Sequence, residues 1–171
     1  MDVEEAIRTR RTHKAYRQEP VSREVLDELF DLARWAPNHN LTAPWRFRVL
    51  GPRALERLKA IAGPEAGLKL DRAPTLVVCT CALSGDAVQD EEDLHATGVA
   101  AYIVLLAAHA RGLGGYWRTP GVLRERAGLE AGDLAALTVN VSPRARCSIT
   151  VTCDGVVAQT VGRVPLAGRR I

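Results

Sequence analysis

The sequence predicts one mixed α+β domain. The chain has 171 residues, which is within the usual size of a single domain. Helix-like and strand-like segments follow one another in mixed order and do not repeat as strand–helix–strand units, which favours the α+β class. Hydrophobic residues make up 47% and charged residues 25%, the composition of a globular rather than a disordered protein.

The first third of the chain predicts two helices and a strand. Residues 2–9 form a short predicted helix. A second helix begins at Ser22, a favourable N-cap, and its apolar residues recur at helical spacing until Pro37 ends it. Residues 45–50 alternate between apolar and polar side chains, which is typical of a half-buried strand.

The middle of the chain predicts a buried strand and a long apolar helix. Residues 53–62 fit an amphipathic helix that is broken over residues 63–67, and residues 75–82 fit a buried strand. Residues 94–110 are predicted as a helix, preceded by an acidic stretch, that is apolar on nearly every side. Because such a helix must be covered all round, we expect a subunit interface there.

The last third begins with glycines at 112–115, which end the long helix. A short helix is expected over residues 121–127. Strand-like runs follow at residues 135–141, 147–153 and 156–161. We therefore expect further strands after the long helix.

Charge and cysteine content exclude several classes of protein. The net charge of +3 is too small to indicate a nucleic-acid partner. The acidic N-terminus lacks a signal-peptide pattern, and the longest apolar run, near residues 99–108, is short for a membrane span, so we expect a cytoplasmic protein. No CxxC pair occurs, so buried free thiols are expected at Cys79 and Cys81, and no metal site.

No motif supplies a catalytic side chain. Neither a phosphate-binding GxxxxGK[ST] loop nor an HExxH or GxSxG motif occurs. The segment from Gly112 to Trp117 follows a helix and has a tryptophan where a dinucleotide fingerprint requires glycine. Three other segments carry chemistry, although each also has a purely structural explanation. They are the basic run at residues 10–14, the proline-flanked loop and strand at 37–47, and the glycine-rich stretch at 112–119.

Five motifs in register make the sequence resemble the nitroreductase family of FMN-dependent oxidoreductases, particularly its short-chain members. The resemblance covers residues 2 to about 143. The motifs are Arg10-Arg11-Thr12-His13-Lys14, Ala33-Arg34-Trp35-Ala36-Pro37, Pro44-Trp45-Arg46-Phe47, Arg72-Ala73-Pro74, and the run from Leu106 to Thr119.

The resemblance implies a central, mostly antiparallel sheet flanked by helices, in an intertwined homodimer with FMN at the interface. Residues 1–143 would form the FMN-binding domain, and residues 144–171 a C-terminal arm that packs on the partner subunit. The implied activity is a ping-pong hydride transfer from NADH or NADPH, through flavin N5, to a nitroaromatic, quinone or other electron-poor small molecule. FMN carries that chemistry, so no catalytic side chain is required.

The resemblance also implies which residues bind FMN. Arg10 and Thr12 would hold the phosphate and ribityl chain, and Lys14 the pyrimidine edge of the flavin, with Lys69 as a second cation at the ring. Trp35 and His39 would reach the FMN of the neighbouring subunit. The full implied set is Arg10, Arg11, Thr12, Lys14, Trp35, His39, Trp117, Arg118 and Thr119.

The sequence departs from the family pattern at several places. Ala43 stands where glutamine usually precedes the Pro-Trp motif, and residues 137–143 differ from the usual apolar strand. Arg144 or Arg146 could supply the phosphate contact that the family's C-terminal arm sometimes provides.

Three alternative functions remain open at the level of sequence. The first is an FMN store or sensor without turnover. The second is a basic structural or nucleic-acid-binding module. The third is a specialised flavin chemistry, such as dehydrogenation of a peptide heterocycle or fragmentation of the flavin.

Overall fold

A computed structural model describes residues 1–118, 121–124 and 146–152. The helices are α1 (Val3–Thr9), α2 (Arg23–Ala33), α3 (Pro52–Ala62), α4 (Pro64–Leu70) and α5 (Ala87–Ala110). The strands are β1 (Trp45–Val49), β2 (Leu76–Cys81), β3 (Gly114–Arg118) and β4 (Arg146–Thr152). Two short 3-10 turns cover His39–Leu41 and Gly121–Arg124.

The four strands form one sheet in the order β1-β2-β4-β3, and every neighbouring pair is antiparallel. In register, Phe47 lies opposite Cys79, and Tyr116 lies opposite Thr150. The predicted α+β class with an antiparallel sheet is therefore confirmed. Strand β4 lies inside the segment predicted as a C-terminal arm, and it pairs on both sides within its own chain.

Strand β2 is buried on both of its faces because helices cover both sides of the sheet. Val77 and Cys79 belong to one core cluster, with α2 and α5. Leu76 and Val78 alternate with them and belong to a second cluster, with α3 and α4. The result is a three-layer arrangement in which the sheet lies between two pairs of helices.

The predicted helix starts are confirmed by their caps. The Asp2 carboxylate accepts a hydrogen bond from the Glu5 amide at 2.8 Å, and Ser22 Oγ accepts one from the Val25 amide at 3.4 Å. Helix α2 ends at Ala33 rather than at Pro37, because the chain tightens into a turn in which the Ala36 amide donates to the Ala33 carbonyl.

Three predicted boundaries were wrong. The break expected over residues 63–67 is confined to Gly63, because Pro64 starts α4 at once. The long helix begins at Ala87, capped by Asp86, and so includes the acidic stretch that was expected to precede it. The run from Gly114 to Arg118 is a strand and not a loop.

Helix α5 is the central helix of the fold. By length and composition it could cross a membrane, but much of it is covered by α2 and the sheet, as in the core helix of a globular domain. Val99 and Tyr102 stay exposed on it. Cys79 and Cys81 are buried free thiols, as predicted.

Several predictions fall outside the residues that the structure describes. They are the strands expected over 135–141 and 156–161, most of the short helix after residue 124, and the roles suggested for Thr119 and Arg144.

Candidate functional site

The basic segment that follows α1 lies against the edge strand β3. Thr12 forms a parallel bridge with Gly115, and the His13 amide donates to the Gly115 carbonyl at 3.3 Å. A Cβ atom on Gly114 would lie 3.3 Å from Cβ of His13. The glycine therefore allows the segment to approach the strand closely, and the two motifs form one surface.

The arginines at the start of this segment are placed by the end of α1. Arg10 is the C-cap residue and is partly buried. The Arg11 guanidinium turns back and donates to the carbonyls of Arg8 at 2.7 Å and Arg10 at 2.9 Å. In this conformation Arg11 stabilises the helix end, where carbonyl groups are otherwise unpaired.

A small cationic cavity lies beside this surface. We call it the cationic cavity, and its lining residues are Lys14, Tyr16, Lys69, Arg72, Ala73, Leu76, Tyr116 and Arg118. Among these described lining residues, four are cations and none is a carboxylate. The cavity volume of about 20 Å³ holds one oxygen-sized group rather than an aromatic ring. This donor set suits the oxygen of an anion.

The pleat of β3 explains which of its side chains reach the cavity. Tyr116 and Arg118 alternate with Trp117, so the first two share one face and the tryptophan points to the other. A Cβ atom built on Gly98 of α5 would lie 3.9 Å from the Trp117 ring. Trp117 and Arg118, predicted together, therefore lie on opposite faces of the sheet.

The cations of the cavity differ in their partners. Lys69 pairs with Glu65 at 2.9 Å, a carboxylate that is largely exposed. Lys14 and Arg72 have no ion pair among the residues that the structure describes. Tyr16 donates to the His13 carbonyl, and burial, followed by the nearby Tyr116, raises the pKa of its phenol to about 12. Tyr16 therefore stays neutral and leaves the cavity's positive charge intact.

A groove of about 390 Å³ continues from the cationic cavity and shares Lys69 and Arg118 with it. Its other lining residues include Ile61, Leu70 and Val122. The volume is within the range of small-molecule sites. The cavity and the groove together offer anion-binding groups beside an apolar wall.

The other two predicted residues, Trp35 and His39, do not line the cationic cavity. Trp35 follows α2 and is 80% exposed. His39 lies in the proline-flanked loop, and its Nδ1 is 2.6 Å from a carboxylate oxygen of Glu92 on α5. Trp35 and His39 therefore lie outside the cationic cavity of their own chain.

Buried Asp93 holds the proline-flanked loop on α5. Its carboxylate accepts hydrogen bonds from Thr42 Oγ1 at 2.5 Å and from Gln89 Nε2 at 2.9 Å, and Gln89 in turn accepts from Asn40 at 2.6 Å. Three loop residues have positive φ: Asn40, Leu41 and Ala43. The sequence pattern did not indicate a role for Asp93, because the acidic run that contains it was expected to precede the long helix rather than to form its first turns.

His109, near the end of α5, was also missed. Its Nε2 lies 2.8 Å from Thr9 Oγ1 at the end of α1. Burial is the main cause that lowers its pKa below the ordinary value, and Arg10, His13 and Arg11 add to the shift while Glu5 opposes it. The positive charge of the basic segment therefore contributes to the lowered pKa of His109.

Within the described ranges, no group of three or more histidine, cysteine or acidic side chains could hold a metal ion. The chemistry that this surface offers is anion binding by fixed cations.

The sequence matches the family model described as Nitroreductase family over residues 7–68. It is 35% identical over 134 residues to the "Putative NADH dehydrogenase/NAD(P)H nitroreductase" of Methanothermobacter thermautotrophicus, covering 74% of this chain and 65% of that protein. It is 34% identical over 62 residues to the 4-nitrobenzoate reductase of Pseudomonas putida, covering 36% and 27% respectively. The chain spans less than two thirds of either relative.

Solved structures show the same fold. The nitroreductase-like family protein from Bacillus cereus superposes with a TM-score of 0.76 at 20% identity, covering 96% of this chain and 92% of that one. A structure from Desulfovibrio desulfuricans, described as "a putative nitroreductase in complex with fmn", superposes with a TM-score of 0.66 at 26% identity, covering 98% and 94%.

Proposed function

We propose that the chain, which is similar in sequence and fold to members of the nitroreductase family, is itself a member and an FMN-dependent oxidoreductase. Its reductant is NADH or NADPH. Its acceptors are nitroaromatics, quinones or other electron-poor small molecules, reduced in a ping-pong sequence. The proposal includes a cytoplasmic location, where NAD(P)H is available.

One observation supports the proposal most strongly: the basic segment and β3 form one surface beside the cationic cavity. The donor set fits the charge of FMN, which carries a phosphate and a pyrimidine edge that becomes negative on reduction. Lys14 and Arg118 line the cavity from the two motifs that were predicted to flank the flavin. Asp71, next to the cavity residue Arg72, pairs with Lys59 at 2.8 Å rather than with a cavity cation.

In this proposal Arg10 and Thr12 hold the phosphate and ribityl chain, and Thr119 completes the β3 contacts. Lys14 and Lys69 stabilise the negative pyrimidine edge, which raises the tendency of the flavin to accept electrons. Bound FMN would supply the hydride chemistry. The protein supplies orientation, positive charge and a surface from which water is partly excluded.

We also propose a homodimer, in which Trp35 and His39 of one chain reach the FMN bound by the other. The separation of these two residues from the cationic cavity within one chain supports this arrangement. The exposed apolar residues Val99 and Tyr102 on α5 offer a surface for the second copy.

Anaerobic mixing of FMN-loaded protein with NADH and with NADPH tests the function. Loss of the yellow flavin absorbance, followed by its return when a nitroaromatic is added, is the expected result. A protein that binds FMN but never bleaches is a store or sensor instead. A protein that takes up no FMN, and binds DNA with steep salt dependence, would be the basic binding module.

A further inference from the structure

One cation of the cationic cavity, Arg72, has no role in the proposed function. The proposed FMN contacts there use Lys14, Lys69 and Arg118, which leaves Arg72 without an assigned partner. Arg72 is exposed and has no ion pair among the described residues. A guanidinium without an ion pair, at a cavity whose described lining residues include no carboxylate, is a ready donor to an anionic ligand.

The shape of the site indicates the kind of ligand. The cavity itself admits one oxygen-sized group, and the neighbouring groove of about 390 Å³ is walled by Ile61, Leu70 and Val122. Lys69 and Arg118 line both spaces, so a molecule in the groove lies next to the cavity. Its anionic end would meet the exposed Arg72 from the solvent side rather than in the small space assigned to an FMN oxygen. A ligand with an apolar body and one anionic end fits this combination.

We propose that Arg72 forms an anion subsite that selects substrates carrying a phosphate or carboxylate group. This inference rests on the proposed function, because it concerns the molecules that exchange electrons with FMN. The shared chemistry is an anionic oxygen group. Its source is either the 2′-phosphate that distinguishes NADPH from NADH, or the carboxylate of an acidic nitroaromatic acceptor.

Equilibrium binding to the FMN-loaded protein, measured by calorimetry, separates the two sources. One arm compares NADP⁺ with NAD⁺, which differ only by the 2′-phosphate. The other compares 4-nitrobenzoate with nitrobenzene, which differ only by the carboxylate. Each arm uses wild type, Arg72→Gln, Arg72→Lys and the control Arg53→Gln. Arg53 is an exposed arginine on α3 that does not line the cavity, so its variant removes the same charge elsewhere.

In one arm, Arg72→Gln is expected to weaken binding of the anionic probe by about tenfold, as for loss of one charge-assisted hydrogen bond. The member of that pair that lacks the tested group, NAD⁺ or nitrobenzene, should change by less than about twofold, and so should the Arg53→Gln control. Arg72→Lys should retain part of the affinity, because it keeps the charge but loses the planar pair of guanidinium donors. The arm that responds identifies the source of the anion.

The inference is overturned if neither anionic probe loses affinity in Arg72→Gln, if Arg53→Gln causes the same loss, or if wild type binds neither anionic probe. Bleaching by NAD(P)H is recorded on the same samples and reports the proposed function separately. Normal bleaching with unchanged anion affinity overturns only the subsite. An Arg72-dependent affinity in a protein that never bleaches overturns only the reductase function.

Discussion

His109 connects the proposed phosphate site to the stability of the protein. Thr9 Oγ1 donates to the Glu5 carbonyl at 2.6 Å, so toward His109 it can only accept, and Nε2 of the imidazole carries the proton of that hydrogen bond. The neutral form is favoured because the site is partly buried and lies near Arg10, Arg11 and His13. An anion bound at Arg10 would offset this positive charge.

We predict that FMN binding raises the pKa of His109. Without FMN its pKa is below the ordinary value of about 6.5, and the flavin phosphate would favour the protonated imidazole. NMR titration of the histidine ring protons, with His109→Gln to assign the resonance, measures the change. A His109 pKa that is the same with and without FMN would contradict a phosphate near Arg10.

His109 also makes the free energy of unfolding depend on pH. Because the pKa of His109 is lower in the folded than in the unfolded protein, the unfolded chain binds a proton at this imidazole more readily. The contribution of His109 to the free energy of unfolding is therefore complete only above about pH 6.5. That stability is lost as the pH falls through the folded pKa. Urea unfolding of wild type and His109→Gln should therefore differ more above this pH than at about pH 5.

Local sequence was sufficient to predict the residues of the basic segment, since five consecutive residues carry its charge. It was not sufficient to find Arg72 or His109 as part of the same surface. Arg72 follows α4 and His109 lies near the end of α5, so each reaches the basic segment only through tertiary packing. Neither had a local pattern that indicated anion binding.

At the level of elements, the proline-flanked loop depends on α5 for its shape. Its three residues with positive φ are strained for side chains other than glycine, and the hydrogen bonds to Gln89 and Asp93 offset that cost. The two prolines were sufficient to predict a loop between α2 and β1. The hydrogen bonds from this loop to Gln89 and Asp93 could not be predicted, because the sequence pattern started α5 seven residues too late and left both residues outside the helix.

We predict that Asp93→Ala destabilises the protein by about 1–3 kcal/mol, since it leaves Thr42 and Gln89 without their buried acceptor. Hydrogen exchange of residues 38–43 should rise at the same time. Glu91→Ala is the matched control, because Glu91 is an exposed acid on the same helix. Equal losses in the two variants would show that Asp93 is not the anchor of the loop.

Across the whole molecule, the strand order depends on pairings between distant segments. The sequence predicted strands at β1 and β2 and a strand-like run at β4, but β4 inserts between β2 and β3. Hydrophobic alternation identifies a strand and one buried face, but it does not identify the neighbours. The antiparallel sense followed from the family resemblance and not from the spacing.

The apolar character of α5 predicts dimerisation. We expect a dimer in sedimentation equilibrium, and we expect Val99→Glu to weaken it by about tenfold or more, because an unpaired carboxylate would be buried at the interface. Val88→Glu places the same charge on an exposed position in the first turn of α5 and should leave the dimer intact. A monomeric wild type would contradict the proposed arrangement of Trp35 and His39.

Titration of FMN onto the apoprotein tests most directly whether the basic segment and the cationic cavity hold the cofactor. The expected result is one FMN per chain, with affinity reduced about tenfold by Lys14→Gln. Arg17→Gln, which removes a positive charge from an exposed residue outside the cavity, should change it by less than about twofold. A protein that takes up no FMN, or equal losses of affinity in both variants, would contradict FMN binding by the basic segment and the cationic cavity.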